Sequence, residues 1–445
     1  MKLPAYPKYK PSGTAWLGAV PERWDPIALR HISTRYAGGT PDRSNDSYWE
    51  DGTIPWINSG AVNQGLITEP SAFITEEAYH NSSARWVPKA ALVMALAGQG
   101  KTKGMVAQTG IATTCNQSMA AICPTPRTDA RYLYWLLVSQ YEHIRNMAGG
   151  EARDGLNLEI LGSIPCLKFS PTEQATIAAF LDREAGRIDQ LVGKKCELIE
   201  RLKEKRTALI SRTVTRGLNP KAKLKSSGHP WLDDIPNHWE VKRLKEVSVL
   251  FGRIGFRGYS TDDLVYEGEG AISMSPSNMT NGIVSLDKCT WLSWEKYHES
   301  PEIQVQPEDV IMVKTGSTLG KTAFVQSVPV PMTVNPQLMI FKEVKCSKRF
   351  LFYYVFSNVV QDVIPLHNTG STIPTMTQEG IGKLPFPHPP LAEQVAIAEF
   401  LDHETAKLDT LVAKVETAVE RLQEYRTALI TAAVTGKIDV RKAVA

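Results

Sequence analysis

Two stretches of the chain carry apolar residues on alternating steps of three and four. In 173–216 they are Ile177, Leu181, Ile188, Leu191, Leu198, Leu202 and Leu209, interrupted by Glu184, Lys195 and Lys205. In the second stretch they are Ile397, Leu401, Leu408, Leu411, Val415, Ala418, Leu422, Tyr425 and Leu429, with Glu404 the polar exception. Stripes this narrow and long predict two coiled-coil helices rather than helices each laid on its own domain. No proline interrupts either stretch. Pro171 and Pro389-Pro390 stand at the starts, and Gly217 and Gly436 mark the ends. From Ile177 to Leu209 such a helix spans on the order of 48 Å, at about 1.5 Å per residue. One helix cannot bury its stripe alone, and the obvious partner is the other.

The two stretches are copies of each other. EQATIAAFLDREAGRIDQLV (173–192) matches EQVAIAEFLDHETAKLDTLV (393–412), and ERLKEKRTALISRTVT (200–215) matches ERLQEYRTALITAAVT (420–435). Upstream, SGTAWLGAVPERWDPIALRHIS (12–33) matches SGHPWLDDIPNHWEVKRLKEVS (227–248), aligning Trp16 with Trp231, Pro21 with Pro236 and Trp24 with Trp239. Two units of roughly 220 residues are a duplication, since solenoid repeats run about 20–50 residues and need at least three copies. If the copies are related by a pseudo-two-fold axis, the helices pack antiparallel. Between the matched ends, 34–165 and 249–385 share little. Similar ends around dissimilar middles predict a shared scaffold carrying two different recognition surfaces. The paired tryptophans belong by this logic to the shared scaffold or to a partner interface, with core packing the leading reading, rather than to base stacking.

Inside the middles, an apolar β-like run (Ala91-Leu92-Val93-Met94; Val310-Ile311-Met312-Val313) precedes a Gly-x4-Lys loop in each copy, aligning Gly98 with Gly316 and Lys103 with Lys321. Glycines admit close backbone approach, and exposed amides with a lysine suit a phosphate. Lys101 and Ser317 lie in the same loops. The plain alternative is a β-turn with a solvated lysine. Downstream, Asn116-Gln117 parallels Asn335 and Gln337; such amides can pair with adenine, and are also ordinary turn residues. Arg153, Asn157, Ser371, Arg253 and Arg257 sit in glycine-containing loops and complete the candidate DNA contacts.

Composition limits the alternatives. Of 445 residues 42% are hydrophobic and 22% charged, as in a soluble multidomain protein. The net charge of +3 does not by itself point to nucleic acid, so that reading rests on local pattern or on partners sharing the phosphate contacts. The six cysteines form no Cys-x-x-Cys pair and no His cluster accompanies them, so neither a metal site nor a disulfide framework is expected. Met1-Lys2-Leu3-Pro4 opens no signal peptide and no 18-residue apolar run occurs, so a cytoplasmic location without membrane contact is expected.

Gly38-Gly39-Thr40-Pro41, Tyr48-Trp49 and Gly52-Thr53-Ile54-Pro55-Trp56-Ile57, followed by the duplicated EQxxIAxFLDxE and RTALI segments, resemble type I restriction-modification specificity subunits over nearly the whole chain. The resemblance implies an α+β fold: two mixed α/β target-recognition domains separated by two long helices packed as an antiparallel coiled coil. The expected boundaries are 1–168 and 218–388 for the recognition domains, and 169–217 and 389–445 for the helical regions. It also implies that each domain reads one half of an asymmetric bipartite site in double-stranded DNA. The expected partners are two methyltransferase subunits, which carry S-adenosylmethionine and modify adenine N6, and motor-nuclease restriction subunits. The chain itself is expected to bind no cofactor and to have no catalytic residues.

Other classes fit less well. His388-Pro389-Pro390-Leu391 lacks both the polar start and the aromatic end of an adenine methyltransferase motif. Gly316-Ser317-Thr318-Leu319-Gly320-Lys321-Thr322 is one residue short of a phosphate-binding P-loop. A fused restriction-methylation enzyme would need those motifs and a far longer chain. A stand-alone coiled-coil repressor would not explain two non-identical readers.

Overall fold

The computed structural model describes residues 3–98, 100–147, 155–232, 234–253, 257–370 and 372–441. They form two compact units, Met1–Cys196 with Thr417–Ala445, and Glu197–Glu416. The chain therefore does not divide at the ends of the helices. Each unit joins one recognition domain to part of both long helices.

In the first unit the middle layer is a five-stranded sheet. Its order is Ser33–Ala37, Met119–Pro124, Leu92–Ala95, Val106–Thr109, Leu66–Ile67, antiparallel except for the last pair. The second unit repeats it: Val249–Phe251, Leu338–Lys342, Val310–Val313, Thr322–Phe324, Ile283–Val284, again with only that pair parallel, then one added strand, Met279–Thr280. The apolar runs seen in the sequence are the central strands. All four side chains of Leu92–Ala95 are buried because both faces are covered. Leu92 and Met94 face the core beneath the helices, while Val93 and Ala95 face a smaller four-stranded sheet. Val310 and Met312 alternate with Ile311 and Val313 in the same way.

The repeated sequence cements each domain to its helix. The first long helix runs Pro171–Arg216, and the second Leu391–Val434. Gln174 accepts from the Asp129 backbone N–H at 2.8 Å, and Gln394 from that of Ser347 at 2.8 Å. Asp129 and Ser347 are themselves N-caps of the buried helices Ala130–Ser139 and Lys348–Phe356. Asp182 accepts from Arg131 and from the Trp135 indole at 2.7 and 2.8 Å; Asp402 accepts from Arg349 and the Tyr353 hydroxyl at 2.7 and 2.6 Å. The Glu-Gln and Leu-Asp letters of the repeat are thus structural joints.

The tryptophans are core. Trp24 stacks on Phe169 with centroids 3.9 Å apart, and Trp239 donates to Glu393 at 3.1 Å. The glycines that end the helices have φ of +68° (Gly217) and +69° (Gly436) and lie against these rings. A Cβ on Gly436 would stand 2.4 Å from Pro21 and 3.0 Å from Trp24, and one on Gly217 would stand 3.1 Å from Trp239.

Within each unit the two helices run antiparallel. In the first, Arg426 pairs with Asp189 at 2.7 Å, and Arg441, beyond the second helix, lies 3.9 Å from Glu173 at the start of the first. In the second, Arg206 pairs with Asp409 at 2.9 Å, and Gly217 lies beside Glu393. The same ion pair occurs once per unit, with donor and acceptor exchanged between the copies.

The seam differs from the predicted one. Ile177, Leu181, Ile188, Ile397, Leu401, Leu408 and Leu429 are buried, and Leu202, Leu209, Val415 and Leu422 are partly so. Leu191, Leu198, Leu411 and Tyr425 are instead 43, 44, 47 and 57% exposed. At alternate positions the covered residue is the next one: Ala185, Val192, Ile199 and Arg206 in the first helix, Thr405, Val412 and Arg426 in the second, while Ala418 and Val419 are both half-buried. Spacing by three and four remains, but every second position moves by one. This places Glu184 and Lys205 beside the seam rather than in it. The arginine stems fill the seam while their guanidinium groups reach its edge. Ile199→Ala is expected to cost about 2–4 kcal/mol and Leu198→Ala under about 1 kcal/mol. Denaturant titration of both variants checks this, and the reverse order would restore the predicted seam.

Candidate nucleic-acid interface

The Gly-x4-Lys segments are β-hairpin turns. One joins Leu92–Ala95 to Val106–Thr109 and the other joins Val310–Val313 to Thr322–Phe324. A phosphate-binding P-loop instead leads from a strand into a helix, so the second segment departs from one in context as well as in length.

Each hairpin meets two further loops through the same backbone bonds. In the first unit Leu96 donates to the Ser118 carbonyl at 2.8 Å and accepts from Leu156 at 2.8 Å. In the second, Lys314 donates to Gln337 at 2.8 Å and accepts from Met376 at 2.9 Å. Thus the hairpin, the Asn/Gln loop and the loop before the scaffold resumes converge in both domains, although their sequences differ. A fourth segment joins them. A Cβ on Gly38 would lie only 2.0 Å from the Cys115 carbonyl oxygen, and one on Gly252 3.0 Å from that of Leu338. Only glycine fits such an approach, which gives the Gly38-Gly39 motif a physical role. The Gly39 carbonyl also accepts from the Trp56 indole at 3.0 Å.

Individual candidates fall into two groups. Gly98, Lys101, Gln117, Ser317 and Gln337 are exposed at the loop surface, and Gly316, at φ +117°, forms its turn half-buried. The Lys101 carbonyl is pinned by the Tyr141 hydroxyl at 2.5 Å while its side chain faces solvent. Gln117 accepts a hydrogen bond from Thr40. Asn116 is half-buried, with a side-chain oxygen that has no hydrogen-bond partner among the described residues.

The second group is turned inward, contrary to the expectation of solvent-facing contacts. Lys103 is buried, and Lys321 donates to the Pro276 carbonyl at 3.0 Å. Asn335 is buried in a turn, accepting from the Gln337 N–H at 3.0 Å. Arg253 is buried and donates to Val334, Arg257 and Thr333 at 3.1–3.3 Å; burial lowers its pKa from the usual arginine value. Arg257 pairs with Glu302 at 3.0 Å. Asn157, by contrast, stays exposed while its side chain caps the helix Leu158–Ser163 through the Ile160 N–H at 2.8 Å. For Lys321, Asn335, Arg253, Arg257 and Asn157 a nearby carbonyl, carboxylate or amide offers the group a partner inside the fold, a competition that residue type alone does not reveal. Arg153 and Ser371 lie outside the described residues. Sequence reasoning passed over Lys314, Tyr141 and Arg145. Arg145 donates to the Gly100 carbonyl at 2.6 Å and helps fix the first hairpin. The signal for Lys314 was a lysine immediately following the apolar run.

Among the described residues, no helix is long and apolar enough to cross a membrane.

The model of the type I restriction modification DNA specificity domain matches residues 21–201 and again 236–421. The specificity subunit of the type I restriction enzyme MjaVIII of Methanocaldococcus jannaschii is 21% identical over 427 residues, covering 95% of this chain and 94% of that one. The MjaIX specificity subunit of the same organism is 25% identical, with 80% and 81% covered. Among solved structures, a chain from a type I R-M system described for its complex assembly and conformational transition superposes with a TM-score of 0.73 at 16% identity, covering 93% of this chain and 98% of its own. The HsdS subunit of Thermoanaerobacter tengcongensis gives 0.54 at 16% identity, with 94% and 98% covered. With the domain matched twice and nearly the full length of such subunits spanned, this chain belongs to the type I restriction-modification DNA specificity family.

Proposed function

We propose that this chain supplies sequence recognition, and no chemistry, to a complex with two methyltransferase subunits and with motor-nuclease restriction subunits. Each domain reads one half of an asymmetric bipartite DNA site, and the long helices set the unread gap. S-adenosylmethionine is held by the methyltransferase, which modifies adenine N6. The observation that carries this reading is the pair of equivalent loop clusters, fixed by the same backbone bonds on the same strand order but lined by different side chains. Such a design holds geometry constant while the donors and acceptors offered to base edges vary. The candidate catalytic motifs support it too. His388 ends a scaffold strand, Pro385–His388, paired with Glu240–Arg243, and the glycine-rich segment is a hairpin turn.

Expression with a methyltransferase subunit and mapping of methylated adenines is expected to return one bipartite motif with dissimilar halves. The chain alone, given S-adenosylmethionine, is expected to methylate nothing. Methylation by the isolated chain, or a motif with identical halves, would overturn the proposal.

A further inference from the structure

On the loop surface of the second unit, Lys314 is a cation without an engaged partner among the described residues. Lys314 directly follows the buried strand Val310–Val313, and its backbone is held on both sides by Gln337 and Met376. Its side chain is half-buried, yet the ammonium has no hydrogen bond or ion pair among the described residues. Burial alone lowers its pKa, with no neighbouring charge contributing. Withdrawing an ammonium from water without a partner is costly, so an unmatched one on a built surface calls for an explanation.

The surroundings sharpen the point. A Cβ on Gly252 would stand 3.2 Å from the Lys314 Nζ and 2.9 Å from the Gln378 Nε2. The Gln378 side chain likewise has no partner among the described residues. Glycine at 252 therefore leaves room around two donors that no described residue engages. Neighbouring cations are treated differently: Arg253 is tied by three hydrogen bonds and Lys321 by the Pro276 carbonyl. In the first unit the equivalent backbone position is Leu96, which is buried in the core. The cation thus belongs to one domain of the pair.

We propose that Lys314, with Gln378 beside it, contacts DNA in the second recognition domain and is absent by design from the first. The chemistry it fits is an acceptor cluster on the duplex, either a phosphate oxygen or the O6/N7 edge of guanine. The inference rests on reading the loop surface as the DNA-facing one.

The test uses the full chain in complex with its methyltransferase subunits, on duplexes carrying the mapped site and single-base-pair changes in the second half-site. Lys314→Met is expected to weaken binding on the order of tenfold, while Lys314→Arg retains most of it. Loss that is uniform across the duplexes, with the salt slope reduced by about one, assigns a phosphate. Loss confined to one base pair, with the slope unchanged, assigns a base edge. Unchanged affinity, slope and base preference in Lys314→Met, beside a selective wild type, removes Lys314 from the interface and leaves the broader reading intact. Equal weakening of the Met and Arg variants with a lowered Tm in both makes the lysine structural and also overturns the proposal. A wild-type complex that selects no site defeats the reading itself.

Discussion

Trp239→Ala is expected to lower the unfolding free energy by about 3–5 kcal/mol, and Trp24→Ala by a similar amount. Both rings are fully buried, so truncation removes a large apolar group and leaves a cavity beneath the end of a long helix. At Trp239 it also strips an indole donor from Glu393, whose carboxylate keeps His238 at 2.8 Å as its remaining partner. At Trp24 it removes the surface on which Gly436 closes its helix. Denaturant titration of the full chain measures the loss. Normal stability with weakened DNA binding would make these tryptophans base-stacking platforms and undo their assignment to the scaffold.

Exchanging 34–165 for the equivalent segment of another family member is expected to replace one half of the methylated motif completely and leave the other half and the gap unchanged. The reason is the separation of roles inside each domain. Asp129 and Asn157 lie inside the exchanged segment, but the joints that hold it, Gln174 and Asp182, lie outside. The incoming segment must therefore offer an N-cap and donors to the same two side chains. Methylation mapping before and after the exchange reads the result, and changes in both halves would show that the two domains do not read independently.

Much of the scaffold was legible in the sequence because it is written twice. The paired strings located both helices, and their glycine ends agree with the structure to within a residue or two. The seam was less legible. Leu191 and Leu198 were read ahead of the adjacent and equally apolar Val192 and Ile199, and Lys205 ahead of Arg206, yet the second of each pair is the covered one. Alanine, threonine and arginine stems can fill a narrow antiparallel seam, and hydrophobicity alone does not rank them for it. The diverged middles could be aligned at their central strands but not folded on paper. Their strand order is non-sequential and several strands have only two residues, too few to show alternation. Segments of the three candidate loops meet through backbone hydrogen bonds in both domains. Which side chains face outward was not legible, because it depends on tertiary partners such as Pro276 for Lys321 and Thr333 for Arg253.

The composition of the first compact unit has a consequence for biosynthesis. Its core includes Leu429, Ile430, Ala433, Val434 and Val440, which are synthesised after the whole of the second unit. The recognition domain and helix segment ending at Cys196 must wait while the whole of Glu197–Glu416 is made. At about 5–20 residues per second that delay is on the order of 10–40 s. During it, Ile177, Leu181 and Ile188 lack the side chains that will cover them. The unit begun first is therefore completed last, and nascent chains caught in that interval are the ones a holdase chaperone would be expected to engage.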